Sequence, residues 1–74
     1  MSLVIDKKYT GTQIKNIRSN LDITQKEFSC MTSINANRIS LFERGKTMPK
    51  LEELIIICNV FNKVLDDMVS YKFK

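Results

Sequence analysis

Residues 24–45 read Thr24-Gln25-Lys26-Glu27-Phe28-Ser29-Cys30-Met31-Thr32-Ser33-Ile34-Asn35-Ala36-Asn37-Arg38-Ile39-Ser40-Leu41-Phe42-Glu43-Arg44-Gly45, and this stretch decides the fold. Thr24 followed three residues later by Glu27 is a capping box. The Thr24 hydroxyl can accept from the amide of residue 27, and the Glu27 side chain can reach back to the amide of Thr24. A short helix therefore starts at Gln25, turns Phe28 inward and ends near Thr32. Ser33-Ile34 makes a tight turn. Asn35 is a good N-cap for a further helix over 36–44. Gly45 stops that helix, because glycine enters the left-handed conformation without steric cost. Two short helices joined by a turn of three or four residues have the proportions of a helix-turn-helix.

The elements on either side follow from apolar spacing. Ile14, Ile17 and Leu21 share one helix face, predicting a helix over 11–21 capped by Thr10. Asp22-Ile23 joins it to the capping box. After Gly45, Lys46-Thr47-Met48-Pro49 is a loop. Leu51, Leu54, Cys58 and Phe61 define a helix over 51–61, with Glu52 and Glu53 complementing the dipole at its start. A fifth helix begins near Leu65, with Asp66 and Asp67 in its first turn. Residues 1–9 read as an N-terminal arm, in which Leu3 and Ile5 either pack on the body or form a short strand. Residues 71–74 read as a C-terminal tail. The expectation is an all-α, compact five-helix bundle over residues 10–70, with helices two and three as the helix-turn-helix.

Length and composition bound the function. A chain of 74 residues fits one domain and buries only about 60–65% of its unfolded surface, so its stability is marginal and a second copy could add burial. Residues 1–50 hold nine Lys/Arg against four Asp/Glu, a balance of +5, whereas residues 51–74 hold three against four. That asymmetry suits a polyanion and equally suits a merely basic surface. Cys30 and Cys58, with no histidine in the chain, do not form a zinc site. They read as buried, reduced thiols, which implies a cytoplasmic protein. The apolar run at residues 3–5 is too short for a signal peptide, and no stretch approaches a membrane span. No glycine-rich phosphate loop, metal cluster, cofactor site or nucleophile with a base is visible, so an enzyme is not expected.

The third helix has a distinct outer stripe. At about 100° per residue, Leu41 falls about 40° and Arg44 about 20° from Asn37, with Arg38 and Ser40 on the flanks. Ile39 and Phe42 point the opposite way, into the core. Asn can bond adenine on two atoms, Arg can bond guanine or phosphate, and Leu can pack on a thymine methyl. The stripe alone would pass for a solvated helix face.

Residues 11–69, about four-fifths of the chain, resemble the phage repressor/Cro family, often called the XRE family. The resemblance rests on Gln25-Lys26-Glu27-Phe28-Ser29, on Ile34-Asn35 through Ile39-Ser40-Leu41-Phe42-Glu43-Arg44-Gly45-Lys46, and on Pro49-x-Leu51-x-x-Leu54, in register without a gap. It implies a sequence-specific duplex DNA binder, a repressor acting as a homodimer on a pseudo-palindrome. Base contacts would come from Asn35, Ala36, Asn37, Arg38 and Leu41, and phosphate contacts from Gln25, Ser40, Arg44 and Lys46. Arg18 and Glu43 match positions that pair to orient the recognition helix, a partly exposed pair contributing on the order of 0–1 kcal/mol to stability. Ser33 stands where the family usually has glycine, and Lys50 and Val64 where a capping Ser or Thr is usual, so the turn should be strained and the fourth and fifth helices should fray at their starts. Lys63 replaces a customary apolar residue. The late apolar surplus, Ile55, Ile56, Val60, Met68, Val69, Tyr71 and Phe73, reads either as a fuller core with a disordered tail or, preferred here, as a dimer surface centred on Val60, Leu65, Met68, Val69 and Phe73. The alternative is a protein-interaction module, such as an antitoxin or regulatory subunit, whose apolar surface meets a different protein.

Overall fold

The computed structural model describes residues 3–73, and its first element is a strand, β1 (Leu3–Ile5), one of the two arrangements the sequence left open for Leu3 and Ile5. Asp6 then caps the first helix, α1 (Lys7–Asn20), its carboxylate accepting from the amides of Lys8 and Tyr9 at 3.1 and 3.2 Å. The helix thus starts four residues before the position expected from Thr10. Asp6 is also a favoured cap and lies earlier, so it captures the start. Thr10 is instead buried, and its hydroxyl donates to the Met68 carbonyl at 2.7 Å.

The centre of the chain forms as its capping residues dictate. α2 (Gln25–Thr32) starts on the complete Thr24–Glu27 capping box. α3 (Ala36–Glu43) starts on Asn35, whose side chain accepts from the Asn37 amide at 2.7 Å. Gly45 follows α3 with φ +69. Then come α4 (Leu51–Phe61) and the single turn α5 (Leu65–Met68). The chain closes with β2 (Tyr71–Phe73), antiparallel to β1 in the register Leu3–Phe73, Val4–Lys72 and Ile5–Tyr71. Among the described residues the fold is therefore five helices plus a two-stranded ribbon, not helices alone. The ribbon fastens residues 3–5 to residues 71–73, and the Asp6 amide extends it by donating to the Ser70 carbonyl at 2.7 Å.

The core is Ile14, Ile17, Phe28, Ile34, Ile39, Phe42, Leu54, Ile57, Cys58 and Met68. Phe28 stacks on Phe61 with ring centroids 4.8 Å apart, locking α2 to the end of α4. Three apolar assignments change. Leu21 lies at the end of α1 and is exposed, and Leu51 in the first turn of α4 is 59% exposed. The inward face of α4 runs through Leu54, Ile57, Cys58 and Phe61, so Ile57 takes the core place expected of Leu51. Cys30 is exposed on α2, while Cys58 is buried and its thiol pKa is pushed up by that burial.

Gly11 sets the seam between α1 and α3. A Cβ there would lie 1.9 Å from the carbonyl oxygen of Phe42. Only a residue without a side chain lets α1 approach the end of α3 this closely.

Candidate nucleic-acid interface

α3 lies with Ile39 and Phe42 fully buried and Asn37 and Arg44 exposed. Leu41 and Ser40 are half-buried beside them. Asn35, Ala36 and Asn37 stand together at the helix start, Asn35 and Asn37 exposed and Ala36 half-buried. Asn35 spends its side-chain oxygen on the cap, which leaves its amide nitrogen to donate outward. Arg44 and Lys46 are exposed after the last turn of α3. The Arg44 guanidinium reaches back to the Ser40 carbonyl at 3.4 Å, and the Lys46 carbonyl accepts from the Lys7 ammonium at 3.4 Å.

The turn between α2 and α3 is heavily bonded. Ser33 has φ 60 and ψ 22, the left-handed conformation in which a side chain is disfavoured. Its neighbours hold it there. The Thr32 hydroxyl donates to the Phe28 carbonyl at 2.9 Å and accepts from the Ile34 amide at 3.3 Å. The Ser29 hydroxyl donates to the Ile34 carbonyl. Among the described residues, two other non-glycine residues have a positive φ, Asp22 and Asn62. Both are types that tolerate it better than serine.

Glu43 is the hub of the site. Arg18 grips its carboxylate with two parallel bonds of 2.9 Å, and Gln25 adds a third donor at 3.2 Å. A further Arg18 nitrogen donates to the Ile23 carbonyl at 3.1 Å. The side chain of Glu43 is only 5% exposed against 20% for Arg18. The pair is thus better shielded than a surface pair. Removing its charge should cost about 1–3 kcal/mol, above the surface-pair range. Gln25, expected at a phosphate, is half-buried at the start of α2; one N–H of its side-chain amide is committed to Glu43, which leaves the second N–H as its remaining donor.

Arg38 is less free than the outer stripe implied. Its guanidinium makes a second fork, to Glu53, at 2.8 and 2.6 Å, and lies over the Phe42 ring at 5.1 Å. Glu53 also accepts from the Lys50 amide at 2.8 Å. The start of α4 is therefore held by this carboxylate, although Lys50 has no capping side chain. The Arg38 fork holds the Glu53 carboxyl below the usual carboxylate range. Sequence spacing carries no sign of this pair, because the partners lie 15 residues apart on separate helices.

The late apolar residues divide. Met68 is 2% exposed and packs inside, because α5 is one turn that tucks it beneath α1, so it cannot form part of a surface. Val69 is half-buried against the core. Val60, Leu65, Ile55, Ile56 and Tyr71 are exposed, and Phe73 is 69% exposed. A groove of about 210 Å³ runs between the ribbon and the helices, lined by Ile5, Met48, Pro49, Leu51, Leu65 and Tyr71 among others. Among the described residues no His, Cys, Asp or Glu group is placed to hold a metal ion. No helix among them is long and apolar enough to cross a membrane.

Comparison with known proteins places this geometry. Residues 11–70 match a family described as a helix-turn-helix domain. Antitoxin PezA of Streptococcus pneumoniae is 37% identical over 60 residues, which cover 81% of this chain and 38% of the antitoxin. The chain thus spans well under half of that relative. An uncharacterized HTH-type transcriptional regulator of Archaeoglobus fulgidus is 32% identical over 60 residues, covering 81% of this chain and 84% of the regulator. Among solved structures, the restriction-modification controller protein C.AhdI from Aeromonas hydrophila superposes with a TM-score of 0.77 at 13% identity, covering 85% of this chain and 96% of the controller. The clp gene regulator ClgR from C. glutamicum gives 0.73 at 19% identity, covering 84% and 80%. At those identities the two structures bear on the fold alone.

Proposed function

Because the chain belongs to the helix-turn-helix domain family, of the repressor/Cro or XRE type, we propose that it is a transcriptional repressor that reads duplex DNA with α2 and α3 as its helix-turn-helix. The carrying observation is the two-sidedness of α3. Its inner face is fully buried through Ile39 and Phe42, while its start and outer stripe offer Asn35, Ala36, Asn37 and Leu41. Those types can address base edges in a major groove, and the helix start is the end that usually enters deepest. Arg44, Lys46, Ser40 and Gln25 flank the stripe and serve the phosphates, which position the protein without reading sequence. The Arg18–Glu43–Gln25 cluster aims α3 relative to α1 and α2.

The protein acts as a homodimer on an inverted repeat, using the exposed side chains Val60, Leu65 and Phe73, with Val69 behind them. Bound across a promoter, the dimer excludes polymerase. Selection of bound sequences from random duplex DNA, at a fixed salt concentration, tests the whole reading. It should enrich two inverted half-sites with centres about 10 bp, or a multiple of that, apart. Recovery of unenriched sequence would overturn it.

A second reading has its own support. The relative at 37% identity is an antitoxin, and the exposed apolar surface suits a different protein as well as a second copy. Here the chain is a protein-binding module, and its DNA contact is secondary. Sedimentation of the free protein separates the two, since a stable dimer occupies that surface.

A further inference from the structure

Arg38 sits on α3 among the residues that face DNA under the proposed function, yet its guanidinium is engaged on two sides. Glu53 takes two of its N–H groups at 2.8 and 2.6 Å, and the ring of fully buried Phe42 lies beneath it at 5.1 Å. The Glu53 side chain is 13% exposed and is fastened in turn by the Lys50 amide. For Arg38 to reach a base edge, it would have to leave a two-bonded, charge-assisted fork and an aromatic face together. Such forks are among the stronger and more directional polar contacts. At the other end of the same helix, Glu43 is gripped by Arg18 in the same two-bonded manner.

We infer that Arg38 is a positioning residue and not a base contact: with Glu53 it bolts the outer half of α3 to the first turn of α4, as Arg18 and Glu43 bolt its end to α1. This rests on the DNA-reading role of α3. Two bolts at opposite ends fix both the tilt and the rotation of a helix only eight residues long. A single one would leave it free to pivot. Arg38 then influences every base position a little through the angle of α3, and no single position strongly.

The test compares wild type with Arg38→Lys, Arg38→Gln, Glu53→Gln and the double variant Arg38→Gln/Glu53→Gln. Each is measured on the selected site, on its single-base-pair variants and on unrelated duplex, together with the melting temperature. Glu53→Gln keeps an oxygen for the Lys50 amide, so the start of α4 stays capped. Lysine keeps the charge near DNA but cannot form the fork. The expected result is that all three single variants lower the ratio of cognate to unrelated affinity by about tenfold, with the loss spread over the site. The double variant should be no worse than either single one, and the melting temperature should fall less than in Glu43→Gln, because this fork is more exposed, at 35% for Arg38 and 13% for Glu53. Arg38→Lys behaving as wild type would overturn the inference. So would loss of preference at one base pair in Arg38→Gln but not in Glu53→Gln, or a melting temperature that falls in step with the ratio. Wild type that discriminates between no duplexes overturns the DNA reading and this inference with it. Discrimination intact in every variant overturns this inference alone.

Discussion

The α2–α3 half of the molecule and the end built from α4, α5 and the ribbon handle their surfaces differently. In the first half the polar groups of the site are tied down: both helices start on side-chain caps, the turn is stitched by Thr32 and Ser29, and the carboxylate of Glu43 takes three donors. At the other end, α5 begins without a side-chain cap, α4 is held at its start only by Glu53 accepting from the Lys50 amide, and Leu51, Leu65, Tyr71 and Phe73 stand exposed. The first arrangement suits a surface that must hold donors and acceptors at fixed angles before a ligand arrives, because pre-ordered groups lose less freedom on binding. The second suits a surface stabilised by burial once a partner covers it.

The largest effect is expected at the seam on which the ordered half depends. Gly11→Ala gains up to about 1 kcal/mol of helix propensity, but it drives a Cβ into the Phe42 carbonyl. The net loss should be about 3 kcal/mol, since overpacking against backbone dominates. A thermal or urea melt checks it, and an unchanged midpoint would mean that α1 and α3 are not in firm contact.

Breaking the apolar end should act on assembly instead. Leu65→Asp/Phe73→Asp should leave the fold intact but yield a monomer in sedimentation, and should weaken binding to the two-half-site operator by roughly 100-fold through lost avidity. Binding to one half-site should be unchanged. A variant that stays dimeric would relocate the interface.

Glu43→Gln separates aim from charge. It should cost about 1–3 kcal/mol in stability. By removing a negative charge, it should hold or raise affinity for unrelated DNA. If Glu43 aims α3, cognate affinity should nevertheless fall, and paired titrations on the two duplexes show the opposite signs. A rise on both would mark Glu43 as a repulsive charge only. Ser33→Gly should be the mildest change, relieving the left-handed serine and stabilising the protein by about 1 kcal/mol, a rise of roughly 4–8 °C in melting temperature, with DNA affinity unaltered. No rise would mean that the Thr32 and Ser29 bonds already offset the strain.

Local signals made most of the ordered half legible before the structure. The capping box, Asn35 and Gly45 each act within a few residues, so α2, α3 and their turn fall where those side chains place them. The start of α1 is not legible in the sequence, because Asp6 and Thr10 are both competent caps and only the ribbon-anchored chain path selects Asp6. The unbroken apolar run from Leu54 to Cys58 hides which side of α4 turns inward, so the sequence does not distinguish the buried Ile57 from the exposed Leu51. Met68 read as surface because α5 is too short to show a periodicity. The contacts of the site that cross between elements had no local trace. Arg38–Glu53 and the Gly11–Phe42 approach arise only from packing, while Arg18–Glu43 was suggested by family resemblance alone.

The central claim is that the outer stripe of α3 reads bases, and Asn37 is an exposed direct candidate on it, with no bond from its side chain to the rest of the described protein. The deciding measurement is the affinity of Asn37→Ala for the selected operator and for every single-base-pair variant of it, beside wild type at the same salt. The account predicts a loss of about 1–3 kcal/mol on the operator, with preference relaxed at one base pair in each half-site and retained elsewhere. An unchanged preference at every position would contradict it and would mean that α3 does not face the groove in the register described.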